Sequence, residues 1–333
     1  MKIIRIFLVV IVGMFLFLLS NMFTAFAEDG AVKSLPFGGQ LKQFTFFGLT
    51  AEGVNNVWVV GAFGQIAYSS DGGKEWKLQN STVQSELYDV DFINDKVGWA
   101  AGRFGVILKT TDGGNTWAKL ASNSESALFG ISFVDSNNGW VVGERNTILH
   151  TDNGGKTWTK QDEENDRILN KVVAVDADTC WAFGEYGTII KTSDAGNTWP
   201  AQVNPRGTDI IYGACFTDNQ HGITVGIDGY MLSTEDGGET WNALESCMGE
   251  TLYSIKIIGQ KAWAVGMKGS YCVSEDGGKT WANKTGALNV FVWLYRVYFA
   301  SEDVGWACGA NGTIVLTHDG GKTWHMPDKL TLR

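Results

Sequence analysis

A chain of 333 residues with 44% hydrophobic and 19% charged residues can bury a sizeable core, and 42 Gly against 4 Pro suit many tight turns rather than a disordered or collagen-like polymer. A net charge of −10 argues against nucleic acid or anionic lipid as the main partner. The five cysteines (Cys180, Cys215, Cys247, Cys272 and Cys308) are odd in number and irregularly spaced, so they outline no disulfide framework, although an exported chain could oxidise one pair.

Residues 1–27 read as an export signal. Lys2 and Arg5 give a basic start, Ile6 to Leu19 is almost wholly apolar, and Ala25-Phe26-Ala27 forms a small-x-small cleavage site before Glu28. The apolar run is long for a signal, so an uncleaved anchor is the other reading. No Cys lies near the site, which argues against a lipid anchor. The expected location is periplasmic or extracellular. Without residues 1–27, 24 Lys+Arg stand against 36 Asp+Glu. Residues 28–37 read as a linker.

From residue 38 to 330 the chain repeats itself. Phrases such as TDGGNTW (Thr111 to Trp117) and HDGGKTW (His318 to Trp324) close seven times, at Trp76, Trp117, Trp158, Trp199, Trp241, Trp281 and Trp324, in steps of 40 to 43 residues. Eighteen residues before each closing Trp stands Trp58, Trp99, Trp140, Trp181, Trp263 or Trp306, and only the fifth unit departs, with Ile223. Three residues further on there is always Gly. Each unit opens on an apolar run such as LYDVDF (Leu87 to Phe92) or LYRVYF (Leu294 to Phe299).

A unit therefore holds four short runs rich in Val, Ile, Phe, Tyr and Trp, separated by Asx/Gly turns and too short for helices. Four antiparallel strands per unit of this length make one propeller blade. The expected fold is all-β: a seven-bladed β-propeller of four-stranded antiparallel blades, bounded near 38–80, 81–121, 122–162, 163–203, 204–245, 246–285 and 286–330. A lone blade has two apolar faces that only its neighbours can cover, so the whole array is needed.

The phrase itself, Ser/Thr-x-Asp-x-Gly-x-Thr-Trp, falls on the turn from strand three to strand four. Its acidic position holds Asp71, Asp112, Asn153, Asp194, Asp236, Asp276 and Asp319. A carboxylate there can accept N–H bonds within its own turn, Gly supplies left-handed geometry, and Trp buries its ring between sheets. One carboxylate per turn is too few for calcium, and Asn153 is a poor metal ligand or base. The phrase reads as a structural staple, with no metal, cofactor or catalytic residue expected.

Blade connectivity puts these staples on one face of the ring. The turns from strand two to three and the blade-to-blade links fall on the other. The two-to-three turns differ in every blade: Ala62-Phe63, Arg103-Phe104, Glu144-Arg145, Glu185-Tyr186, Ile227-Asp228, Met267-Lys268 and Ala310-Asn311. Such variety amid fixed flanks suits partner recognition, although exposed turn tips also drift freely. Phe63, Arg103, Phe104, Arg145, Tyr186, Asp228, Lys268 and Asn311 are the candidates, with Arg206 from one link. Phe291 to Trp293, in another link, either form a sticky lip or pack on the segment Pro36 to Phe44.

The full unit, GWAVG-x-x-G-x-I-x-x-T-x-D-G-G-x-T-W, resembles the Asp-box (BNR) repeats of the photosystem II stability and assembly-factor family over about residues 38 to 328. The resemblance implies a non-catalytic exported propeller that binds a protein partner, an assembly or stability factor for a membrane or envelope complex, with no nucleic-acid partner and no small-molecule substrate. In that family an arginine-rich patch is associated with docking. This chain departs from the pattern with scattered Arg and a strong acidic balance. Sialidases also carry Asp boxes, so a glycoside hydrolase is the rival. Its chemistry needs an Arg triad, a Tyr–Glu pair and an Asp. Residues 28–333 contain only Arg103, Arg145, Arg167, Arg206, Arg296 and Arg333, and no Phe/Tyr-Arg-Ile-Pro stretch.

Overall fold

The computed structural model describes residues 33–36, 44–161 and 166–332; the segment read as an export signal and most of the one read as a linker lie outside them. After β1 (Lys33–Pro36), the first blade consists of β2 (Phe46–Glu52), β3 (Asn56–Gly61), β4 (Ile66–Ser69) and β5 (Glu75–Gln79). The second has β6 (Leu87–Phe92), β7 (Gly98–Gly102), β8 (Ile107–Thr110) and β9 (Ala118–Leu120). The third has β10 (Leu128–Phe133), β11 (Gly139–Gly143), β12 (Ile148–Thr151) and β13 (Thr159–Lys160). The fourth has β14 (Leu169–Ala174), β15 (Cys180–Gly184) and β16 (Ile189–Thr192). The fifth has β17 (Ile211–Phe216), β18 (Gly222–Gly226), β19 (Met231–Thr234) and β20 (Asn242–Ala243). The sixth has β21 (Leu252–Ile258), β22 (Lys261–Gly266), β23 (Tyr271–Ser274) and β24 (Ala282–Asn283). The seventh has β25 (Leu294–Phe299), β26 (Gly305–Gly309) and β27 (Ile314–Thr317), and β28 (Lys329–Leu332) follows.

Seven antiparallel sheets follow chain order, so the seven-bladed propeller expected from the repeat is the fold. Two blades are three-stranded where four strands were expected. In the fourth blade the outer strand shrinks to a single bridge, Ile190 to Ala201, beside Pro200, which has no N–H to give a ladder. In the seventh the bridge is Leu316 to His325, and the chain then leaves. Its tail, placed in the seventh blade by sequence (286–330), instead runs as β28 parallel to β5 of the first blade, Lys329 opposite Glu75. β28 thereby covers the free edge of β5.

The first strands of successive blades neighbour one another around the axis, β25 adjoining β2 as the ring closes. Apolar clusters fill the space between adjacent sheets. One joins Trp58, Val60 and Ile66 of the first blade to Leu87, Val90, Phe92 and Trp117 of the second, and another joins Trp306 and Cys308 of the seventh to Phe46 and Trp76 of the first.

The strand-two Trp does the joining. Trp99 stacks on Phe133 of the next blade, centroids 3.6 Å apart, and its indole N–H donates to the Gly154 carbonyl of that blade's Asp box at 3.2 Å. Trp58 to Gly113, Trp263 to Gly320 and Trp306 to Gly72 repeat the bond, the last across the closing seam at 2.8 Å. The Gly before this Trp has its own reason. A Cβ on Gly98 would lie 2.5 Å from the Phe92 ring of the same blade.

The box carboxylate is bound within its own turn. Asp112 accepts the Thr116 N–H at 2.9 Å and the Thr116 hydroxyl at 2.6 Å, while the Thr110 hydroxyl accepts the Gly114 N–H. Asn153 keeps the backbone bond through its carbonyl oxygen and donates its amide to the Thr157 hydroxyl, so an amide replaces a carboxylate with the turn intact. The closing Trp residues are less uniform than expected. Trp76, Trp281 and Trp324 donate to a Gly carbonyl of their own box and Trp117 to Gln79, whereas the buried indole N–H groups of Trp158, Trp199 and Trp241 have no partner among the described residues.

Cys247, in the link between the fifth and sixth blades, forms a disulfide with Cys272 of β23, which the cysteine spacing did not reveal. Cys180 and Cys308 are buried thiols.

Candidate functional site

On the face opposite the boxes, five of the two-to-three turns hook the link that feeds the next blade. Gly105 N–H donates to Ser126 O, Asn146 to Arg167, Gly229 to Glu250, Gly269 to Val292 and Gly312 to Phe44, the last again closing the ring. Gly105 must be Gly for two reasons: its φ is +66°, and a Cβ would strike the Ser124 carbonyl. The Gly-x-x-Gly pattern after strand two is thus a hook and not a phosphate cradle.

The residue just before that hook stands out from the face. Phe63, Phe104, Arg145, Tyr186, Asp228, Lys268 and Asn311 all have φ between +49° and +58°, and all are exposed. Asn and Asp suit this left-handed region, whereas Phe, Tyr, Arg and Lys pay a steric cost of about 1 kcal/mol each. Phe104 is 63% exposed and Tyr186 51%, so burial does not offset that cost. The other member of each pair is half-buried and tied inward. The Glu144 carboxylate, for instance, accepts the Ala127 N–H.

The cationic candidates are oriented by neighbours. The Arg103 guanidinium lies 4.6 Å from the Phe104 ring centroid and 3.4 Å from the Glu86 carboxylate. Arg206 lies 5.0 Å over the Tyr230 ring and 3.4 Å from Asp209, and Lys268 reaches Glu250 at 3.0 Å. Arg103 and Arg206 are thus each held by a carboxylate near in the chain. Trp293 is 40% exposed and Phe291 80%. Trp293 rests on Tyr253 and Tyr295, centroids 6.5 and 6.4 Å away. Most of the segment Pro36 to Phe44, the other cover considered for this lip, lies outside the described residues.

Those tyrosines belong to a feature that the sequence reading missed. The second residue of each first strand is Phe47, Tyr88, Phe129, Asn170, Tyr212, Tyr253 or Tyr295. Five consecutive ring contacts of 5.0 to 5.5 Å link six of them into a collar around the axis, interrupted only at Asn170, which donates to the Ile211 carbonyl. Burial raises the Tyr88 and Tyr295 phenols to about 12.

Below the collar an axial cavity of about 200 Å³ is lined by Asp89, Asp91, Lys171, Lys256 and Arg296 among apolar and small residues. Asp89 is almost wholly buried and meets Arg296 at 2.7 Å and Lys171 at 3.3 Å. The third residues of the first strands explain the reach. Gly48 stands between Arg296 and Asp89 around the ring, and Gly130 between Asp89 and Lys171, so both cations cross a neighbour that has no side chain. Burial pushes the Asp91 carboxyl up to about 7, against a 2.7 Å bond from the Phe133 N–H. The available signal was a charged residue at the third or fifth position of an otherwise apolar strand, as in LYDVDF.

Fold and boxes together define a seven-bladed propeller of Asp-box repeats. The family model described as photosynthesis system II assembly factor YCF48 matches residues 27–111, 75–207, 201–285 and 247–317, and a BNR/Asp-box model matches 315–326. The chain belongs to that YCF48 family. Among solved structures, one described as "YCF48 bound to D1 peptide" is similar at 18% identity with a TM-score of 0.71, over 87% of this chain and 96% of that one. YCF48 from Cyanidioschyzon merolae is similar at 21% identity with a TM-score of 0.69, over 86% of this chain and 99% of that one. An ancestral GH74 enzyme matches at 13% identity with a TM-score of 0.70, over 91% of this chain and 48% of its own. At these identities the likeness is one of fold. No curated protein matches the sequence.

Proposed function

We propose that this chain is an exported, non-catalytic propeller that binds a protein partner through the face opposite its Asp boxes, as an assembly or stability factor for a membrane or envelope complex. The observation that carries the reading is the set of exposed Phe, Tyr, Arg and Lys side chains held in left-handed turns, a backbone region that favours Gly, Asn or Asp. Aromatic anchors beside guanidinium groups are the usual composition of a protein-binding patch. Membership of the YCF48 family supports a protein partner, as does the family structure that holds a D1 peptide. The Cys247–Cys272 disulfide agrees with an oxidising compartment outside the cytoplasm.

The test is affinity capture from the native envelope with mass spectrometry of what co-purifies. Recovery of one membrane complex is expected, lost in Phe104→Ala with Arg145→Ala and weakened in Trp293→Ala, with thermal unfolding unchanged. Turnover of a glycoside that Arg substitution abolishes would overturn the reading.

A further inference from the structure

We propose that the axial cavity is a binding site for a small monoanion, a halide or a short carboxylate, held between Arg296 and Lys256. This site is independent of the partner-binding face, and no box takes part in it.

Charge balance in the axial cavity favours an anion. Three cations line the cavity: Lys171, Lys256 and Arg296. Asp89 is the carboxylate that both Lys171 and Arg296 touch, so that trio keeps one positive charge. Asp89 has little acceptor capacity left, since it also accepts the Val90 N–H at 3.0 Å and the Ile131 N–H at 3.4 Å. Lys256 has no carboxylate within 4 Å among the described residues. Its ammonium sits 4.5 Å from the Tyr298 ring centroid. Arg296 and Tyr298 lie two residues apart on β25 and on the same side, about 7 Å along the strand. Lys256 therefore stands just below Arg296 on the cavity wall.

The second observation is a donor with nothing to donate to. The Arg296 Nε–H is buried and has no partner among the described residues, although Nη2 is engaged by Asp89. A buried guanidinium N–H left unpaired is costly, and an anion is its natural complement. With Asp91 ionised the lining residues sum to one positive charge, and with Asp91 protonated to two. A single negative ion offsets either state better than water does.

Asp91 makes the site sensitive to protons. It faces Asp89 on its own strand, Lys171 from β14, Glu52 from β2, and Tyr298 from β25 beside Lys256, with the Phe133 N–H from β10 as its donor. Glu52 lies at the end of β2, outside the cavity wall. Anion binding lowers the cost of removing negative charge from Asp91, so occupancy is accompanied by proton uptake there.

Crystals of the full chain soaked in sodium bromide test the halide, and calorimetric titration with sodium formate tests the carboxylate. The expected results are bromide anomalous density at Arg296 and Lys256, or formate binding that is several-fold tighter at pH 6 than at pH 8 with proton uptake. Lys256→Met is expected to weaken binding about tenfold or more, because one charged contact is lost. Since Lys256 has no ion pair to break, its melting temperature is expected to stay near that of the native chain. Arg296→Lys keeps a cation for Asp89 but removes the guanidinium donor, and it is expected to weaken binding too. Bromide density without formate heat assigns the site to halides, and the reverse assigns it to carboxylates. Absence of both, or affinity unchanged in Lys256→Met, overturns the proposal while leaving the partner-binding reading untouched.

Discussion

The two faces of the disc use the same backbone device with opposite contents. On the box face the left-handed positions are nearly all Gly, as at Gly113 and Gly114, and each turn consumes its own polar groups. On the other face the left-handed residue is Phe63, Phe104, Arg145, Tyr186 or Lys268, and its side chain projects into solvent. Where geometry alone sets the residue, glycine fills it. Where a strained residue of large surface fills it, the strain points to a use outside the fold.

This contrast can be broken most sharply at the blade junctions. Trp99→Ala is expected to cost about 3–5 kcal/mol in chemical denaturation, because it removes a buried indole, its stack on Phe133 and its bond to the Gly154 carbonyl. A loss under 1 kcal/mol would mean that the boxes do not hold blades together. Cys247→Ser is expected to cost about 3 kcal/mol, since the bridge closes a loop with a sequence separation of 25 residues. Equal melting temperatures with and without reductant would refute it.

The pH profile should separate the boxes from the axis. Asp91 is raised to about 7 in the fold, so folding takes up a proton, and stability is expected to fall by about 3 kcal/mol as pH rises from about 4 to about 7. Asp91→Asn should flatten that slope in urea titrations. The box carboxylates behave in the opposite sense. Hydrogen bonds from Thr240 hold Asp236 down to about 2. Asp319 is also held at about 2, by bonds from Thr323 that outweigh its desolvation. Their stabilisation is present above about 4 and is lost as pH falls toward 2.

Smaller effects sharpen the comparison. Asp112→Ala is expected to cost about 1 kcal/mol and Asp112→Asn only a few tenths, because Asn153 already performs the same task. Equal losses would point to a role for the charge itself. Phe104→Asn is expected to gain up to about 1 kcal/mol by easing the left-handed strain, while partner capture weakens. If it destabilises instead, the ring is a packing element and the face loses its strongest argument.

Much of the architecture was legible because each blade writes the same residues at the same offsets. The strand-two Trp residues lie at the blade junctions, and the box Asp braces its own turn. The collar and the axial charges were harder to read. Tyr88, Asp89 and Asp91 sit in one short run that looks like any strand of mixed polarity. Their meaning arises only when Arg296, which is 207 positions away from Asp89 in the chain, is carried to the same axis. The tip residues were found by comparing repeats, but their left-handed backbone, the better argument for a function, was not visible in the letters.

The sequence by itself determined the number of blades and their antiparallel strands in chain order, because these depend on local spacing repeated seven times. Tertiary structure decided what no single repeat contains: the disulfide between Cys247 and Cys272, the tail laid along β5, and the charged axial cavity. The physical reason is that ring closure brings together residues of different blades whose separation in the chain carries no periodic signal.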